Sequence, residues 1–368
     1  MKRSLSAVLF VTACSGAEAP APPASPPAAP RTPPAAADPR APEPAHPTTA
    51  APGADGTGAA ARRGKALSRV EKRTFASASL GVEKGYVVYL PRGYDDGAAR
   101  FPVVYLLHGL GGNEGNWVAH GGLAETANRL DLPAIVVMPD GDDGFYVNGH
   151  QKTDYPACLT RKPPWNGAEA PASYCVKTPA YEDYLTGDLV REVDGTLRTV
   201  PERASRAIGG LSMGGFGATQ LAMRHTELYS VAASFSGMVS LRYAGPHPFA
   251  AGKAQTASPA SFGGPYPAKF KEHVRAIFGS DPAFWEAHDP TALAAKLPDG
   301  ALTLFLSTGD KDDFQFEDHA AHLHEVLESH GVPHERRVVP GKHTWAVWSS
   351  ELPKGLDYLR AHLAGAPE

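Results

Sequence analysis

Cysteine, clustered positive charge and long apolar runs are all scarce in this chain of 368 residues. It has three cysteines. Cys158 and Cys175 have no second Cys and no His within four residues, so zinc-finger spacing is excluded and no metal site is assigned. The formal net charge is -4 and Lys and Arg form no long block, which argues against nucleic acid as a partner. Beyond residue 13 no apolar run approaches the roughly 20 residues that a membrane-spanning helix needs. Residues 15–66 contain no Leu, Ile, Val, Met, Phe, Tyr or Trp. Such a stretch of Pro, Ala, Gly and Thr cannot bury apolar surface, and it reads as a disordered tether.

What precedes the tether reads as an export signal. Lys2 and Arg3 give a positive start, and Leu5 to Ala13 a short apolar stretch. Val11-Thr12-Ala13-Cys14 resembles the lipobox of bacterial lipoproteins, with Val11 in the usual place of a leucine. That resemblance implies a lipid on Cys14, and the alternative is an ordinary signal peptide cut after Ala19. The expected organisation is a signal over 1–13, a tether over 14–66 and one catalytic domain over 67–368, in an exported protein that touches membrane only through the lipid. Export suits a Cys158–Cys175 disulfide, worth about 3 kcal/mol through restriction of the unfolded chain. Two free buried thiols are the other reading.

Apolar strands alternate with helices from Leu67 onward. Strands are expected at 85–90, 101–107, 134–138, 205–211, 231–237, 302–306 and 335–339. Helices are expected at 123–130, 181–199 and near the C-terminus to Leu363. Strands that are apolar throughout indicate an α/β fold, a mostly parallel central sheet with helices on both faces. Active sites of such sheets lie at the carboxyl ends of the strands.

Gly210-Leu211-Ser212-Met213-Gly214 carries the chemistry. Its G-x-S-x-G pattern sits between a strand and a helix, the setting of a nucleophile elbow. The flanking glycines remove side chains that would clash in a sharp turn. After the strand ending at Leu306 come Asp310, Asp312 and Asp313. Asp312 is the first choice for an acid that orients a base, with Asp310 and Asp313 as solvated or capping residues. His343, in Pro340-Gly341-Lys342-His343-Thr344-Trp345, is the base. His319, His322 and His324 lie on a helix at a spacing that does not share one face, and are expected at the solvent surface.

Together, Leu107-His108-Gly109-Leu110-Gly111-Gly112, the serine elbow, Gly309-x-x-Asp312 and Pro340-Gly341-x-His343-x-Trp345-x-x-Trp348 resemble the esterase-D group of the α/β-hydrolases. That group includes feruloyl and acetyl-xylan esterases, S-formylglutathione hydrolases, enterochelin-type esterases and mycolyltransferases. The segments Met138-Pro139-Asp140-Gly141 and Tyr181-Glu182-Asp183-Tyr184-Leu185 also match, and in the group lie beside the active-site cleft. The resemblance implies an α/β-hydrolase fold and a serine carboxylesterase with no cofactor. It implies Ser212 as nucleophile, Asp312 and His343 as its partners, and the N–H groups of Leu110 and Met213 as oxyanion donors. Implied substrates are acylated saccharides, aryl or feruloyl esters, or siderophore esters. Acyl transfer to an alcohol or sugar, as in mycolyltransferases, is the alternative. A surface-binding protein on a retired hydrolase fold is a further one. Loops 148–180 and 241–268 are read equally as pocket rim or as surface decoration. Trp117, Trp345 and Trp348 are read equally as core or as stacking surface.

Overall fold

The computed structural model describes residues 67–366. The expected signal, the Cys14 lipid and the tether lie outside the described residues. Among the described residues eight strands form one sheet: β1 Arg69–Ser77, β2 Val82–Leu90, β3 Val103–Leu107, β4 Ile135–Pro139, β5 Arg206–Leu211, β6 Val231–Phe235, β7 Thr303–Gly309 and β8 His334–Val339. Their order is β1-β2-β4-β3-β5-β6-β7-β8. From β4 to β8 every pairing is parallel, whereas β2 runs antiparallel to β4 and β1 antiparallel to β2.

The period of two along each strand sorts side chains to opposite faces. Val103, Tyr105 and Leu107 enter one apolar cluster, and Val104 and Leu106 the other. Six helices matter for the site: α1 Leu123–Arg129, α2 Leu189–Thr196, α3 Met213–Arg224, α4 Ala268–Phe278, α5 Phe316–Ser329 and α6 Trp345–Ala361. Helices α1 and α6 cover the face of Val104, with Leu123, Val347, Leu352 and Leu356 in contact with that cluster. Helices α2, α3, α4 and α5 cover the other through Leu189, Phe216, Phe270 and Leu323. Each such fully buried aliphatic or aromatic side chain stabilises by about 1.5–3 kcal/mol.

The α/β-hydrolase expectation holds, with three differences of detail. β1 has no counterpart among the expected strands. Its sequence RVEKRTFAS is charged, and as an edge strand it buries only its last residue fully. The helix expected over 181–199 is broken: a turn at Tyr181–Asp183 passes through a π-helical stretch at Tyr184–Asp188 before α2 ends at Thr196. Finally, His319, His322 and His324 are not a solvent-exposed row. His319 is buried with its Nε2 2.9 Å from Tyr266 Oη, and His322 bonds Ser240 at 2.8 Å. The 241–268 segment folds over α5 and covers that helix face, a long-range contact that helical spacing does not encode.

Candidate active site

β5 delivers its last residue into a turn so tight that Ser212 takes φ 52 and ψ -116. Such a conformation costs a non-glycine residue about 1–3 kcal/mol and persists only where surroundings enforce it. Here the Ser212 N–H donates to the Phe235 carbonyl at 2.9 Å, tying the turn to β6. The flanking glycines answer to space. A Cβ on Gly210 would lie 2.4 Å from the Gly214 carbonyl oxygen, and one on Gly214 2.5 Å from that of His108. Met213 is the first residue of α3, where backbone N–H groups lack intrahelical acceptors and favour an anion.

Asp312 follows β7 and His343 follows β8, so both reach the same sheet edge. His343 Nδ1 lies 2.7 Å from Asp312 Oδ2, and its Nε2 2.9 Å from Ser212 Oγ. A carboxylate only accepts, so the ring proton sits on Nδ1 and Nε2 turns its lone pair to the serine O–H. The Asp312 side chain is fully buried, and its other oxygen accepts the Phe314 N–H at 3.0 Å. The imidazole is boxed edge-on by Phe314, Phe316 and Trp348, with ring centroids 4.9–5.3 Å away. The neighbouring acids stand aside: Asp310 caps the Gly341 N–H at 2.9 Å, and Asp313 pairs with Lys342 at the surface.

A cleft of about 810 Å³ opens above Ser212 and His343, with Leu110 on its wall. Its aromatic lining is Trp165, Phe270, Phe314, Phe316, Trp345 and Trp348, and Asn113, Asn116 and Asn166 add polar atoms. Trp165 and Asn166 belong to the loop closed by the Cys158–Cys175 disulfide, so that loop forms part of the rim. The 241–268 loop instead packs Phe262 and Tyr266 into the core. Trp117 is core as well: it is buried, and its indole N–H donates to the Leu107 carbonyl at 2.9 Å.

The segment after β4 braces the loop that carries Leu110. Gly141 N–H donates to His108 Nε2 at 2.9 Å, Tyr146 Oη donates to the His108 carbonyl at 2.8 Å, and Gly111 N–H donates to Asp143 Oδ1 at 2.7 Å. Asp142, Phe145 and Tyr146 all have positive φ here, a strained run fixed by burial. The motif Met138–Gly141 marked this segment without revealing its task, and Asp143 carried no signal in the sequence.

Behind the brace lies a buried ion cluster. Asp140, Asp142 and Glu169 bring carboxylate oxygens within 4.8 Å of one another. Lys84 Nζ already sits 2.8 Å from Asp140 and 2.7 Å from Asp142, so an ammonium group holds the place a metal would take. Burial alone would discharge Lys84, but Asp142 and Asp140 hold its pKa above the ordinary lysine value. Burial, with the Asp140 charge second, pushes Glu169 up to about 7. Glu182, from the second matched segment, does not reach the cleft. It bonds Arg224 at 3.0 Å and His225 at 2.8 Å, at the far end of α3.

Comparison with known proteins follows the same lines. The family model described as "Putative esterase" matches residues 77–359. Esterase Rv1288 of Mycobacterium tuberculosis is 31% identical over 169 residues, 46% of this chain and 32% of that protein, so the match spans about a third of the relative's length. An acetyl esterase of Caldicellulosiruptor saccharolyticus is 21% identical over 258 residues, 70% of this chain and 82% of the relative. Among solved structures, a ferulic acid esterase superposes with TM-score 0.59 at 20% identity, covering 81% of this chain and 99% of its own. An S-formylglutathione hydrolase from Agrobacterium tumefaciens gives 0.60 at 19% identity, covering 81% and 96%. At these identities the solved structures speak for the fold.

Proposed function

The chain belongs to the Esterase family, and from that premise we propose that it is a serine carboxylesterase with Ser212 as nucleophile, His343 as general base and acid, and Asp312 as the group that orients the base. The observation that carries the reading is the unbroken chain Asp312–His343–Ser212, at 2.7 and 2.9 Å.

Ser212 Oγ attacks the ester carbonyl carbon while its proton passes to His343 Nε2. The carbonyl oxygen becomes an oxyanion between the N–H groups of Leu110 and Met213, each worth about 2.7–4 kcal/mol in the transition state. Collapse breaks the bond to the alcohol, which leaves with the proton from Nε2. Water then gives a proton to Nε2 and attacks the acyl carbon, after which the bond to Ser212 Oγ breaks, Oγ takes the proton back from Nε2 and the acid is released. The aromatic walls suit a flat acyl or sugar group, and the asparagines can bind hydroxyls. Acylated saccharides and aryl esters are therefore the substrate classes we propose. Export, with a lipid on Cys14, belongs to the same proposal. The Cys158–Cys175 bridge supports an oxidising compartment, and mass spectrometry of the mature N-terminus tests the lipid.

p-Nitrophenyl acetate hydrolysis by Ser212→Ala tests the mechanism, with circular dichroism checking the fold. A folded variant should lose on the order of 10⁶ in kcat. Turnover equal to that of the parent would overturn the assignment. Methyl ferulate, an acetylated xyloside and a cyclic triester, compared by kcat/KM, then order the substrate classes.

A further inference from the structure

α5 and β8 bring together a second set of donors, at the amino end of β8 and outside the lining of the catalytic cleft. His324 and Glu328 stand one turn apart on α5, and so share a face. His334 opens β8 opposite them. One donor atom from each lies within 4.8 Å of the others. His324 Nδ1 is 2.6 Å from His334 Nε2, and Glu328 Oε1 is 3.8 Å from that same nitrogen.

The His334 side chain is only 3% exposed, and its Nδ1 lies 2.9 Å from the Val332 carbonyl. A carbonyl oxygen only accepts, so Nδ1 carries the proton and Nε2 accepts from the His324 Nδ1–H, a proton that shifts to His324 Nε2 when a cation takes its place. Metal-binding histidines are oriented by the same kind of contact, the other ring nitrogen donating to a carbonyl or carboxylate. Two imidazoles and a carboxylate form a donor set that suits zinc.

We propose that His324, Glu328 and His334 bind one divalent zinc-type cation, with water completing a tetrahedron. Zn–N bonds of about 2.0–2.1 Å put two imidazole nitrogens about 3.3 Å apart, so the rings need to part by less than about 1 Å. Arg336 opposes the incoming charge and Glu328 offsets it, the two acting on His324 in opposite senses. The ion would cross-link α5 to β8. Asp312 precedes the first of these elements and His343 follows the second.

The test uses the full chain, stripped with EDTA and dialysed, with zinc chloride as the probe. Calorimetric titration should show one saturable equivalent, and Tm should rise with free zinc as binding to the native state requires. Loss of an outer-shell partner costs about 10–100-fold in metal affinity, so His324→Ala and Glu328→Gln, each checked for folding, should weaken binding at least about tenfold. Absence of saturable binding up to on the order of 100 µM zinc, or wild-type affinity in either variant, overturns the site.

Discussion

Asp143 Oδ1 accepts the backbone N–H of Gly111 at 2.7 Å, so a buried carboxylate holds the residue next to Leu110. Gly111 has φ 72, and a Cβ there would come within 3.3 Å of the Trp165 carbonyl oxygen. The bond therefore fixes the direction of the loop from which Leu110 is proposed to meet an oxyanion.

Asp143 is accordingly a positioning residue. Asp143→Ala should lower kcat by about tenfold or more, a fraction of the 10²–10³ lost with an oxyanion donor itself, and leave KM nearly unchanged. Asp143→Asn keeps an acceptor oxygen and should recover most of the loss. Steady-state kinetics on both variants check this. A purely structural role predicts a fall in Tm with no selective loss of kcat.

His319 links the fold to pH. Burial holds its imidazole down to about 3, against about 6.5 in an unfolded chain. Between those values the unfolded state binds the extra proton. The contribution to stability is therefore complete above pH of about 6.5 and falls by about 1.4 kcal/mol per pH unit toward pH of about 3. Urea unfolding at neutral and mildly acid pH should show this slope. His319→Gln, whose side-chain amide can bond Tyr266 as donor or acceptor, should flatten it. An unchanged slope in the variant would assign the acid sensitivity to other groups.

The disulfide bears on substrate binding through Trp165. The bridge spans 17 residues of sequence and encloses Trp165, whose ring lies 4.2 Å below Lys269 Nζ. Replacing both cysteines by serine should cost about 3 kcal/mol where the loop unfolds with the domain. For aryl esters, KM should rise several-fold with kcat largely kept, because one wall of the cleft loosens while Ser212 and His343 stay in place. Comparing KM and kcat for methyl ferulate in the parent and the double variant decides it.

Local rules made much of the molecule legible in advance. The parallel strands were readable from short apolar runs, and the elbow from two glycines whose missing Cβ atoms the turn requires. The order Ser212, Asp312, His343 followed from motifs that each stand just after a strand. The charged edge strand β1 and the π-helical stretch gave no such signal. One depends on pairing with β2, and the other accompanies the burial of Tyr184 and Leu185 in the core.

The amino-acid sequence by itself determined the elements and the chemistry at their ends, because periodicity, turn sterics and motif spacing act within a few residues. Tertiary structure alone decided the bond from Gly111 to Asp143 across 32 residues and the burial of His319 under Tyr266 across 53, and it set the 2.9 Å contact of His343 with Ser212 across 131. Those depend on which surfaces the packed core brings together. No local preference specifies a partner so far along the chain.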